Sequence, residues 1–116
     1  MKDASHGEKR SSLRGRYIRE VLRLYIKTPT VLGKVRHADR VLASRFFDNG
    51  IPLYAVEHAL VIASARRIRN NAFSTPLPLI RSLHYFSAVI EEIIERPPGY
   101  REIDELRRCL DDYTRR

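Results

Sequence analysis

Four histidines, a lone cysteine and a group of three glutamates are the side chains of this 116-residue sequence whose types could support catalysis or metal binding. His6, His37, His58 and His84 fall on separate stretches, and Glu57 and His58, as neighbours, point to different faces of any helix that holds them. A metal centre needs three or four such ligands converging on one point, so none is expected. Glu91, Glu92 and Glu95 lie together near the end of an apolar segment, where carboxylates form the wet edge of a helix. Acid–base or nucleophilic catalysis needs a base positioned beside a nucleophile, and no such pairing stands out. Cys109 cannot close an internal disulfide and fits a reducing compartment. The glycines are spread singly, without a phosphate-cradling loop. The expectation is a protein that is not an enzyme, with no cofactor, no metal and no small-molecule substrate.

The pronounced chemical signal is cationic. The formal charge is +8, and residues 1–45 hold twelve basic and four acidic side chains, which accounts for all of it. The remaining 71 residues are balanced. Such asymmetry points to a polyanionic partner for the N-terminal part, nucleic acid first and an anionic membrane surface second. Arg14, Arg16, Arg19, Arg23 and Lys27 recur at helical spacing, and Arg66, Arg67 and Arg69 crowd into four positions. Arginine suits phosphate because its planar fork can donate two parallel hydrogen bonds. Each cluster also has a structural reading: the first as the solvated side of a helix, the second as charge complementing a helix C-terminus.

The elements that must position these groups read as helices. Residues 1–11 show no apolar periodicity and are expected to form a flexible basic arm, with the helical domain spanning 12–116. From an N-cap at Ser11 or Ser12, an apolar stripe of Leu13, Tyr17, Ile18, Val21, Leu22, Leu24 and Tyr25 predicts an amphipathic helix stopped by Thr28-Pro29. Ala38, Val41, Leu42 and Phe46 predict a second, ending at Asp48-Asn49-Gly50. Ile51-Pro52 opens a third, in which Ala59, Ala63 and Ala65 allow close approach of a neighbour, as in a central helix. A proline-rich connection over 72–78, with Ser74 and Thr75 as capping or turn residues, leads to a largely buried fourth helix from about Leu79 to Glu95, ended by Pro97-Pro98-Gly99. A fifth carries a narrow seam of Ile103, Leu106, Leu110 and Tyr113 that suits either a return onto the domain or contact with a second chain. The fold class is therefore all-α, a compact single-domain bundle of about five helices. No apolar run reaches the length of a membrane span, and the first ten residues lack a signal-peptide core, so a cytoplasmic location is expected.

The order of elements from Ala38 to Ile94, with Asn49-Gly50-Ile51-Pro52-Leu53 opening a small-residue helix and Tyr85, Val89 and Ile93 at four-residue spacing, resembles the C-terminal module of DnaD-type bacterial primosome and replication-initiation proteins. That family commonly has tryptophan where this chain has Ile93. The resemblance implies an all-α DNA-binding module of replication or mobile-element machinery, with Arg66, Arg67, Arg69 and Arg81 near the DNA.

Charge and resemblance together lead to the expectation of a nucleic-acid-binding protein, DNA favoured over RNA, that grips the phosphate backbone without reading sequence. Two other readings stand beside it. One is a protein-interaction subunit of a larger nucleoprotein assembly, or a homo-oligomer, joined through the Ile103–Tyr113 seam. The other lays the first helix on an anionic membrane surface.

Overall fold

Two short segments, residues 28–35 and 77–82, meet at the centre of the fold and fix how its helices are arranged. In the computed structural model, which describes residues 2–70 and 77–115, Ile80 N donates to Thr30 O and Leu32 N donates to Ile80 O, both at 2.8 Å. This isolated parallel bridge ties the link after the first helix to the approach to the fourth. Thr30, 1% exposed, extends the tie by donating its hydroxyl to Ser64 Oγ at 2.8 Å, inside the middle of the third helix. Pairing these buried hydroxyls spares each the cost of an unmet polar group.

The helices are α1 (Lys2–Lys27), α2 (His37–Asp48), α3 (Leu53–Asn70), α4 (Ser87–Glu95) and α5 (Tyr100–Arg115), with a 3-10 turn over Leu83–Phe86 running directly into α4. The all-α, single-domain bundle of about five helices expected from periodicity is what the described residues form. α3 is central: it packs against α1, α4 and α5, and Ala55, Ala59, Ala63 and Ala65 are all buried. Alanine at these positions lets neighbouring backbones approach, and the stripe is wide because three helices share it. α1 covers α2 and α3 through Val21, Leu22 and Tyr25, and stops where Thr28 turns its hydroxyl back onto Leu24 O and Pro29 cannot continue the helix. Gly50, at φ +70°, makes the reversal between α2 and α3 in a conformation that side-chain-bearing residues rarely adopt.

Three boundaries differ from those the sequence suggests. α1 is helical from Lys2, about nine residues before the cap expected at Ser11 or Ser12, so the segment assigned to an arm continues the helix. Residues 9–12 are polar and exposed there, which is why no apolar period marks them. At 26 residues α1 is roughly 39 Å long at 1.5 Å per residue. The body it extends measures 60 × 30 × 23 Å. The fourth helix begins at Leu83 rather than Leu79, because Ile80 is extended in the bridge to Val31 and Ser82 caps the new start by accepting from His84 N. It is also only half buried: Leu83, Phe86, Ile90 and Ile93 face the core while Tyr85, Ala88 and Ile94 do not. Ser74 and Thr75 lie outside the described residues.

Candidate nucleic-acid interface

Helical geometry sorts the basic residues of α1. At 100° per residue, positions 16, 19, 23 and 27 fall within an arc of roughly 80°, opposite the side that carries Val21 and Tyr25. Arg16, Arg19, Arg23 and Lys27 are all exposed. Among the described residues Arg16, Arg19 and Lys27 have no ion-pair partner, whereas Arg23 donates Nε to Glu20 at 2.9 Å and forms an ion pair with it. The pairing lowers the Glu20 pKa, chiefly through the hydrogen bond from Arg23. Because Glu20 sits at the margin of the arc, the row keeps most of its positive charge outward.

Arg14 does not belong to this row. It points inward along the α1–α2 contact, hydrogen-bonding Ser44 and pairing with Asp48 at 3.2 Å, so it joins two helices. The reason is angular: position 14 is two turns before Val21 and shares its side of the helix. Tyr17 follows the same direction, donating its hydroxyl to Ile51 O at 2.8 Å and setting its ring edge-on to Phe47. Burial pushes its pKa up to about 12.

The second expected cluster is more heavily committed. Arg66 forms a two-pronged contact with Glu92, at 2.6 and 3.0 Å, and that contact lowers the Glu92 pKa. Arg67 donates to Pro78 O and lies with its guanidinium 6.0 Å from the centre of the Tyr85 ring. Arg69 and Arg81 are exposed and have no ion-pair partner among the described residues. Arg36 reaches Arg81 O at 2.6 Å, so Arg36 and Arg67 both hold the 78–81 segment through its backbone carbonyls. Arg66, Arg67, Asn70 and Tyr85 line a hollow of about 430 Å³.

The seam residues expected to meet a partner are spent within the chain. Ile103, Leu106 and Leu110 are 6–7% exposed and pack α5 against α3, while Tyr113 alone is half out. This is the antiparallel return, so a partner would have to use some other surface. Most of the apolar stripe of α1 is likewise committed to the core, with Val21 and Tyr25 fully buried, while Leu13 at its N-terminal end is exposed. Among the described residues no helix is long and apolar enough to cross a membrane, and no three His, Cys, Asp or Glu side chains gather as metal ligands would.

Sequence reasoning missed the carboxylates that neutralise Arg14 and Arg66, because these partners lie 34 and 26 positions away. The Glu20–Arg23 pair was open to it, since residues three apart on a helix adjoin. Compared with known protein families, with curated proteins and with solved structures, the chain matches none.

Proposed function

We propose that the protein is a non-catalytic nucleic-acid-binding helical protein that holds the phosphate backbone, DNA in preference to RNA, against the outer face of α1. The observation that carries this reading is the exposed row Arg16, Arg19, Arg23 and Lys27, in which three of four cations have no ion-pair partner among the described residues. Cations at three- and four-residue intervals along a rigid helix are held apart at fixed distances without further ordering, so a polyanion lying along them releases counterions at little conformational cost. Arg69 and Arg81 supply further phosphate contacts at the far end of α3. The resemblance to DnaD-type modules supports DNA and a place in replication or mobile-element machinery. Contacts to the phosphate backbone carry no base identity, so the proposed binding is indifferent to sequence.

The test is a salt series of oligonucleotide affinity for the wild-type protein and for the variant carrying Arg16→Glu, Arg19→Glu and Arg23→Glu. The wild type loses affinity steeply as salt rises, and the variant's slope of log K against log salt is flatter by about three, roughly one per phosphate contact removed. Affinity indifferent to salt would remove the proposal.

A further inference from the structure

An apolar groove at the edge of the cationic row and the outer face of α4 complement each other. The first is a groove of about 670 Å³ beside α1, where Leu13, Tyr17, Phe47 and Leu53 supply an apolar floor and Arg16 and Arg19 a basic rim. Leu13 is 57% exposed, a large apolar side chain left in water at the edge of the fold. The second lies on the outer face of α4, a hollow of about 470 Å³ lined by Ala88, Glu91, Ile94 and Glu95. Ile94 is 50% exposed at its centre.

Charge bookkeeping inside the molecule sharpens the match. Glu92, the other carboxylate of that hollow, is taken by Arg66, whereas Glu91 and Glu95 have no ion-pair partner among the described residues. Glu20, the one carboxylate of the α1 groove, is taken by Arg23. What remains is an apolar centre with two cations on one surface and an apolar centre with two carboxylates on the other. Glu91 and Glu95 are four residues apart and Arg16 and Arg19 three, so both pairs stand about 5–6 Å apart along their helices. Within one chain α1 and α4 make no packing contact of note, so the two surfaces are not already joined to each other.

We infer that a second copy of this chain docks its α4 face, with Ile94 leading and Glu91 and Glu95 flanking, into the α1 groove at Leu13, Arg16 and Arg19. Ile94 and Leu13 lose water together, which gives the contact its affinity, and the opposed charges fix its register and exclude like-with-like pairing of either face. Because the two surfaces differ, the contact closes into a dimer where both can engage at once and otherwise continues head to tail. The inference does not rest on the nucleic-acid reading, but the two share Arg16 and Arg19, so a docked copy and a phosphate backbone compete for those side chains, and only the α4 variants test association without touching the cationic row.

The experiment is sedimentation velocity over a concentration series with nuclease-treated full-length protein. The wild type sediments as more than a monomer with rising concentration. Glu91→Arg with Glu95→Arg, and separately Arg16→Glu with Arg19→Glu, each weaken association by about tenfold or more, since like charges then face each other. Mixing the two variants restores it, because each supplies the surface the other now needs. Ile94→Asp and Leu13→Asp, both at exposed positions, give the same loss with helix content unchanged by circular dichroism. A wild type that stays monomeric up to its solubility limit overturns the inference, as does association that survives both reversals or a mixture that fails to recover. Loss of oligonucleotide binding with association intact would instead count against the proposed function alone.

Discussion

The carboxylate of Asp39, 1% exposed, accepts a hydrogen bond at 2.9 Å from the backbone N–H of Leu83, 44 residues further along the chain. Its other oxygen accepts from Arg36 N, also at 2.9 Å. One side chain therefore caps α2 and fixes the first residue of the 3-10 turn that leads into α4, holding together two elements that the chain reaches separately. Tyr25, fully buried beside Phe86, closes the same region from α1, and its pKa is pushed up to about 12 by burial and by the charge of Asp39.

Replacing Asp39 by alanine strands the buried Leu83 N–H and removes the cap at the start of α2, and should cost about 2–4 kcal/mol, the sum of one unmet buried donor and a lost cap. Asparagine keeps one carbonyl acceptor and should recover part of the loss. Urea unfolding reads the result as a lower midpoint at unchanged slope. A variant as stable as wild type would show that solvent reaches these groups.

In α5, Leu106 is 6% exposed and Tyr113 36%. Leu106→Ala should cost about 2–5 kcal/mol through lost burial and the cavity left behind. Tyr113→Ala should stay within about 0.5 kcal/mol, as surface changes usually do. Both are measured by urea unfolding. Equal, small effects at the two positions would mean that α5 does not rest on α3.

How much of this was legible in the sequence depends on the range of the interaction. The α1 stripe, the α3 alanines and the proline stops are local patterns, each carried by residues within a few turns of one another, and the structure keeps them. Asp39 reads in sequence only as an acidic residue early in a helix. That it is buried and bridges to Leu83 depends on where another helix arrives. The late start of the fourth helix has the same origin, since Ile80 becomes extended only when Val31 lies alongside it. Among the candidate binding residues, the angular position of Arg14 was available from the periodicity that placed Val21 in the core. The partners of Arg66 and Arg67 were not, because Glu92 and Pro78 meet them only in the folded chain.

His58 offers a pH dependence with a definite sign. Burial first, and then the positive charge of Arg107, hold its pKa below the ordinary value, with Glu57 opposing; the Tyr54 ring stands edge-on at 5.7 Å. The unfolded chain takes up this proton near pH 6.5 and the folded chain resists it, so the unfolded state binds more protons in that window. Stability is therefore at its full value above about pH 6.5 and declines as pH falls through and below it. His58→Phe should flatten the profile of urea midpoint between about pH 7.5 and pH 5.5, above the range where the carboxylates titrate. A wild-type midpoint that rises on acidification over that interval would contradict the assignment.

Arg14 and Arg19 are the pair of arginines that separate structure from binding most sharply. They are five residues apart on α1, similar in sequence setting, and opposite in role: Arg14 pairs with Asp48 across the α1–α2 contact, while Arg19 is exposed on the cationic row without an ion-pair partner among the described residues. Arg14→Ala removes a link between helices, so it should lower the urea midpoint slightly and leave the salt slope of oligonucleotide affinity unchanged. Arg19→Ala should leave stability unchanged, lower affinity for single-stranded and duplex DNA of any sequence, and reduce the slope by about one. Both quantities come from the same two protein samples, titrated with urea and with a labelled oligonucleotide at several salt concentrations. If Arg14→Ala flattens the salt slope as much as Arg19→Ala does, the cationic surface extends around the helix onto the α2 side, and the outer face of α1 is not the one the phosphates follow.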